Sequence, residues 1–210
     1  MDVGIIGTGN VGSALARGWA QAGHRILLGA RDPAKASSLA AAIRARVVSP
    51  PEVAQADVIV LATPWTAAQT VLEGLGDLTG KIVIDCTNPL GRVGGRFGLL
   101  IGHDTSGAEE LAAAFPAARI VKTLNQVGAE VMGLAGTLPR RPVMFMAADD
   151  AAAKQTVDTL LQDLGFDPLD AGDLSKARLL EPFALVWINQ ALAQGKGRHW
   201  ALTVQEVPHA

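Results

Sequence analysis

Tyrosine is absent from this 210-residue chain, aromatic residues of all kinds make up 4%, and cysteine occurs once, as Cys86. A single thiol forms no internal disulfide, so the core alone must hold the fold, as suits a reducing compartment. So few aromatics leave no platform for stacking bases. Charge is scarce too, at 18%, and nearly balanced at a net −2. No Lys/Arg cluster forms a stripe that could track a phosphate backbone, so no nucleic-acid partner is expected. Long apolar runs are missing as well: the longest late stretch, Leu179–Ala193, is interrupted by Glu181, Pro182, Asn189 and Gln190. It falls short of the roughly 18 apolar residues of a membrane span. The opening MDVGIIGTGN has no basic region and breaks at glycine, so it does not read as a signal peptide. The expectation is a cytoplasmic protein with no membrane partner.

What is present is apolar and rich in glycine. Hydrophobic residues make up 49%, and a chain of this length buries about 70% of its unfolded surface, enough for one ordinary domain or a domain with an appendage. Short apolar runs alternate with Ala/Leu-rich stretches. Val3–Ile6, Arg25–Leu28, Arg46–Val48, Val58–Leu61, Lys81–Ile84 and Arg119–Val121 read as strands covered on both faces. Asp32-Pro33 places a capping acid before a first-turn proline. Ser49-Pro50-Pro51-Glu52 and Ser106-Gly107-Ala108-Glu109 fit the S-x-x-E capping box. Near residue 140 the register changes. A strand-like Val143–Met146 precedes a helix opened by Asp149-Asp150 and running to about Leu164, a short extended Phe166–Leu169, and a helix over Ser175–Gln194. The loop Gly91–Gly102, with five glycines, reads as irregular. The expected class is α/β, a Rossmann-type doubly wound parallel sheet over residues 1–147, with a small C-terminal α/β extension over 148–210.

The most informative stretch is Val3 to Gly12, which reads strand, then G-x-G-x-x-G, then helix. Gly7 can make the tight turn, Gly9 lets backbone approach a pyrophosphate, and Gly12 lets helix and strand pack closely. The helix N-terminus then offers free N–H groups to phosphates. The end of the second strand decides the dinucleotide. Where an NAD site has Asp or Glu for the ribose 2′-hydroxyl, this chain has Gly29 and Ala30, then Arg31, with Lys35 one turn further on. A carboxylate repels a 2′-phosphate and a guanidinium pairs with it, so the charge logic favours NADP(H) over NAD, with Thr8 able to add its hydroxyl. Asp32 reads as a helix cap.

Three further strand ends complete a crevice, because ligands of doubly wound sheets sit outside the carboxyl ends of the strands. These are Ala62-Thr63-Pro64-Trp65, Asp85-Cys86-Thr87-Asn88-Pro89-Leu90, and Thr123-Leu124-Asn125-Gln126-Val127-Gly128-Ala129. Trp65 reads equally as a wall of the dinucleotide site or as a helix-packing aromatic. Asn88 and Asn125 are polar groups placed where a nicotinamide ribose or carboxamide would lie. No Ser-His-Asp arrangement, HExxH or CxxC is present, no metal set emerges, and of the scattered histidines only His103 stands near the crevice. Cys86 reads as a small buried core thiol. No side chain is therefore expected as a catalytic acid or base, which suits hydride transfer between two flat rings, where the cofactor carries the chemistry.

GIIGTGNVGSALARGWAQAGHRILLGARDPAKA, LATPW, DCTNPL, SGAEELAAAFPAARIVKTLNQVGAEVM and PLDAGDLSKARLLEPFALVWINQAL together resemble the NADPH-dependent coenzyme F420 reductase family, in order and over nearly the whole chain. The chain is also similar to the cytosolic reductase domain of the STEAP metalloreductases, which moves a hydride from NADPH to a flavin. The resemblance implies a Rossmann domain followed by a small domain used in homodimerisation. It implies NADP on Thr8, Gly9, Asn10, Val11, Ala30, Arg31, Lys35 and the Trp65 and Leu90 regions, with the nicotinamide near Val127 and Ala129. Two positions depart from the deazaflavin enzymes, which often carry Ser at Ala30 and His at Asn125. The activity implied is hydride exchange between NADP(H) and coenzyme F420 or a flavin such as FMN or FAD. Reduction of a free flavin, a ferric complex or a small imine or carbonyl is the alternative within enzymes, all with a small-molecule redox acceptor as partner. The alternative of another class is a non-catalytic NADP(H)-binding sensor.

Replacement of Arg31 tests the charge logic directly. Arg31→Ala is expected to weaken NADPH binding at least about tenfold more than NADH binding in calorimetric titrations. Equal losses for the two would overturn it.

Overall fold

The computed structural model describes residues 1–30 and 32–207. Ten strands and eight α-helices alternate along these residues. Eight of the strands form one sheet: β1 (Asp2–Ile6), β2 (Arg25–Gly29), β3 (Arg46–Val48), β4 (Val58–Leu61), β5 (Ile82–Asp85), β8 (Arg119–Lys122), β9 (Val143–Ala147) and β10 (Asp167–Gly172). The order across the sheet is β10-β9-β8-β5-β4-β1-β2-β3. Neighbours run parallel except β8 and β9, which meet antiparallel at Lys122 and Ala147. The chain starts in the middle, builds outward to β3, then returns to β4 on the other side of β1. This reversal opens a crevice between the carboxyl ends of β1 and β4.

The central strands are apolar on both faces because both faces are covered. Along β1 and β4, Val3, Ile5, Val58 and Val60 point into one core, with Ile6, Ile59 and Leu61 in the other. The first core lies under α1 (Asn10–Gln21) and α7 (Ala151–Asp163), the second under α4 (Trp65–Glu73) and α5 (Gly107–Ala114). Trp19 is fully buried in the first core, and its indole N–H donates to Leu160 O at 2.9 Å, tying α1 to α7. Residues 148–207 thus contribute β10 to the sheet edge and Val157, Leu160 and Phe166 to the first core. Near the end of the described chain, Val143 N donates to Leu202 O and Trp200 stacks on Trp187.

The helix starts follow their caps. Asp32 accepts from Ala34 N at the head of α2 (Pro33–Ile43), and Asp150 accepts from Ala153 N at the head of α7. The Ser49 amide donates to Glu52 at the short α3 (Pro50–Val53), and Ser106 accepts from Glu109 N at α5. α6 (Ala129–Met132) is a single turn, and α8 (Ala177–Ile188) continues into a π-helical turn over Asn189–Ala193. Three expectations change in form. α1 begins at Asn10, inside the glycine motif and not after it, because Gly9 already takes the extended N-cap conformation. The stretch expected as an irregular loop pairs as a hairpin, β6 (Leu90–Val93) with β7 (Arg96–Leu99). Gly94 and Gly95, both at positive φ, make the two-residue turn that hairpins favour. And β9 joins the sheet antiparallel, against the all-parallel expectation. Among the described residues no helix is long and apolar enough to cross a membrane.

Trp19 links α1 to α7 through one indole. Trp19→Ala is expected to lower the unfolding free energy by about 3–5 kcal/mol, read as a lower urea midpoint at unchanged slope.

Candidate functional site

The glycine turn after β1 has the geometry its sequence demands. Gly7 sits at φ +103°, and a Cβ there would lie 2.3 Å from the carbonyl oxygen of Ala62 at the end of β4. A Cβ on Gly12 would lie 1.8 Å from the carbonyl oxygen of Gly7, so only glycine lets α1 seat directly on the end of its strand. At Gly9 no atom of the described residues lies within 4 Å of the Cβ position, so that backbone faces open space among them. No side chain caps the first turn of α1, in contrast to α2, α5 and α7, and its amides are left for a ligand. Ser13 Oγ donates back to Thr8 O at 3.0 Å and holds the turn against the helix.

These features border a cleft of about 810 Å³ at the carboxyl ends of β1, β2 and β4. Of the residues singled out from sequence, Gly7, Thr8, Gly9, Ala30, Lys35, Thr63 and Pro64 line it. Asn10 is exposed at the start of α1, Val11 is half-buried, and Gly12 is buried behind the turn. Asp32 also lines the cleft, but its carboxylate caps α2 and lies 3.5 Å from Lys35 Nζ. Arg31, the residue on which the choice of dinucleotide turns, lies outside the described residues. Trp65 is half-buried against the second core, with its ring over the Cα of Gly107.

A second group forms beyond the ends of β5 and β8. Asn88 Nδ2 donates to Asn125 O at 2.9 Å, and Asn125 Nδ2 donates to Asn88 Oδ1 at 3.0 Å and to Leu180 O of α8 at 3.1 Å. Leu90 begins the hairpin, Val127 packs partly buried on the first core, and Ala129 is buried at the start of α6. His103 is exposed at φ +63° and lines a separate groove beside α8. Cys86 is buried; burial, and next the charge of Asp85, push its thiol far above the ordinary range, so it is no nucleophile.

Among the described residues, two buried side-chain oxygens near these strand ends have no partner, Thr63 Oγ1 and Asn125 Oδ1, as is also true of Glu130 Oε2 on α6. Buried polar atoms are normally hydrogen-bonded, and the Asn125 oxygen asks for a donor and the Thr63 hydroxyl for a donor or an acceptor from outside these residues. Together with the uncapped α1 and the open backbone at Gly9, they fit a dinucleotide running from the β1 turn across the strand ends.

The sequence reading missed one cluster altogether. Lys122, at the end of β8, is fully buried, with Nζ 2.9 Å from Asp85 Oδ2 and 3.0 Å from Glu181 Oε1. Asp85 ends β5 and Glu181 belongs to α8. Burial depresses the ammonium's pKa, but the two carboxylates outweigh it and hold Lys122 above its ordinary value. The available signal was a charged residue closing an apolar strand, Ile84-Asp85 and Val121-Lys122, and an acid inside an apolar helix.

The family model described as NADP oxidoreductase, coenzyme F420-dependent, matches residues 2–89. The F420-dependent NADP reductase of Methanothermobacter thermautotrophicus is 29% identical over 206 residues, covering 90% of this chain and 88% of that protein. The metalloreductase STEAP3 of Rattus norvegicus is 30% identical over 184 residues, 87% of this chain. This chain spans only about a third of the length of the metalloreductases it matches, 36% in that case. Among solved structures, a putative F420-dependent NADP reductase from Arthrobacter sp. FB24 superposes with a TM-score of 0.88 at 31% identity, covering 97% of this chain and 99% of that one.

The raised Lys122 sets a sign for alkaline pH. Its contribution to stability is complete below the unfolded value of 10.5 and is lost as pH rises from there through the higher native value. Urea unfolding followed from about pH 8 to about 11.5 is expected to show a smaller alkaline loss in Lys122→Met than in the unaltered chain.

Proposed function

Because the chain belongs to the coenzyme F420-dependent NADP oxidoreductase family, we propose that it is an oxidoreductase passing a hydride between NADP(H) and deazaflavin coenzyme F420 or a flavin. The observation that carries the dinucleotide half is the uncapped N-terminus of α1 over the open backbone of Gly9, at the crevice between β1 and β4. In this reading the amides of the α1 turn take the diphosphate. Lys35, on the cleft wall, and Arg31 take the 2′-phosphate. Thr63 Oγ1 and the Asn88–Asn125 pair orient the nicotinamide half, with Asn125 Oδ1 accepting from its carboxamide. Bound NADPH would supply the hydride, two electrons and one proton together, and any further proton would reach the acceptor from bulk solvent after its release. The chain's part is then orientation and exclusion of water, and no side chain in the site is assigned as acid or base.

We assign the acceptor side to the region of α8 and the hairpin, and a second copy of the chain to the same face. Phe97, Leu179, Val186 and Leu192 are each about 60% exposed there. Phe97, Val186 and Leu192 also line an apolar groove of about 740 Å³. An apolar face of this kind is usual at a homodimer interface. Light scattering is expected to give twice the chain mass, and Val186→Glu to halve it.

The function itself is tested by rapid mixing. NADPH at 340 nm is expected to be consumed when coenzyme F420, FMN or FAD is offered, and NADH at least about tenfold more slowly. Tight NADPH binding with no turnover on any of the three would leave a sensor. Turnover only on an imine, carbonyl or ferric complex would move the acceptor.

A further inference from the structure

The buried cluster at the strand ends is fully connected. The Lys122 ammonium donates to Asp85 Oδ2 and to the carbonyl of Thr87, the latter at 2.5 Å, and pairs ionically with Glu181 Oε1 at 3.0 Å. The second oxygen of Asp85 accepts from the Thr87 amide at 2.9 Å and hydroxyl at 2.7 Å. Glu181 accepts from the amides of Gly107 at 3.0 Å and Ala108 at 3.2 Å, closing the head of α5. A side chain at residue 107 would have its Cβ 3.2 Å from Glu181 Oε1 and 3.0 Å from the Trp65 ring, so glycine admits the carboxylate. Burying three charges is costly, and such clusters add little net stability; what they do well is hold segments in one arrangement.

The segments held here are those that carry Asn125. Lys122 precedes it by three residues on β8, Thr87 precedes its partner Asn88, and Glu181 follows Leu180, whose carbonyl accepts from Asn125 Nδ2. The β5 end, the β8 end and α8 are thus joined twice, once by ions and once by amides. The second junction leaves Asn125 Oδ1 buried with no partner among the described residues. We propose that Lys122 and Glu181 are positioning residues that aim Asn125 Oδ1 at the nicotinamide end of the dinucleotide. This rests on the cofactor placement proposed above.

The test compares NADP+ with 2′-phospho-ADP-ribose, the same molecule without the nicotinamide, by calorimetry. The unaltered chain is expected to bind NADP+ about fivefold to tenfold more tightly, the worth of one buried hydrogen bond. Lys122→Met and Glu181→Gln are expected to keep the affinity for 2′-phospho-ADP-ribose within about twofold and to lose the preference for NADP+. Lys122→Met should then change nothing further in an Asn125→Ala background. Equal weakening toward both ligands, additive effects of Lys122→Met and Asn125→Ala, or no preference in the unaltered chain would overturn the proposal. Binding of neither ligand by the unaltered chain would instead overturn the cofactor placement itself. Should Lys122→Met fail to fold, Glu181→Gln carries the same comparison, since it keeps both the volume and an oxygen for the α5 amides.

Discussion

The contact on which the site depends is between two residues with no side chains. Gly12 brings the first turn of α1 against the carbonyl of Gly7, and Gly7 in turn lies against the carbonyl of Ala62. Any Cβ at either position would push α1 off the end of β1 or β1 off the end of β4. With both absent, the amide-bearing end of a helix sits at the reversal point of the sheet, where a crevice must exist. The apolar alternation of β1 and β4 then keeps that crevice in place by burying both faces of the strands that form its floor.

How much of this was legible in the sequence depended on the range of the interaction. Strands with continuous apolar runs and helices with capping acids or serines were readable, because those signals are local. Asp32, Ser49, Ser106 and Asp150 all start helices as their neighbours indicate. The hairpin over residues 90–99 was hidden because four glycines weaken any strand signal, even though Gly94 and Gly95 serve the turn itself. The direction of β9 depends on how residues 123–142 return to the sheet edge, which no local pattern encodes. At the site, the glycine turn was legible in full. The Asn88–Asn125 pairing spans 37 residues, and the cluster of Asp85, Lys122 and Glu181 joins three elements, so composition and spacing were silent on it.

α8 connects the two sides of the molecule. Its inner face carries Glu181 and the Leu180 carbonyl, which tie it to α5 and to Asn125. Its outer face carries Leu179 and Val186, exposed beside the hairpin. Pro182, inside the helix, has no amide to donate, and it separates these anchors from the wide π-helical turn at the end. Whatever covers the outer face therefore bears on the same helix that secures the polar loops.

The one sulfhydryl of the chain has a bearing on its chemistry as a whole. Cys86 is sealed beneath the strand ends, with burial and a neighbouring carboxylate both opposing formation of its thiolate. The thiolate is the form that attacks peroxide and disulfides, so this sulfur is spared. With its single thiol buried and held in the protonated form, the chain offers no reactive sulfur at the crevice, and thiol-directed oxidants have nothing there to modify.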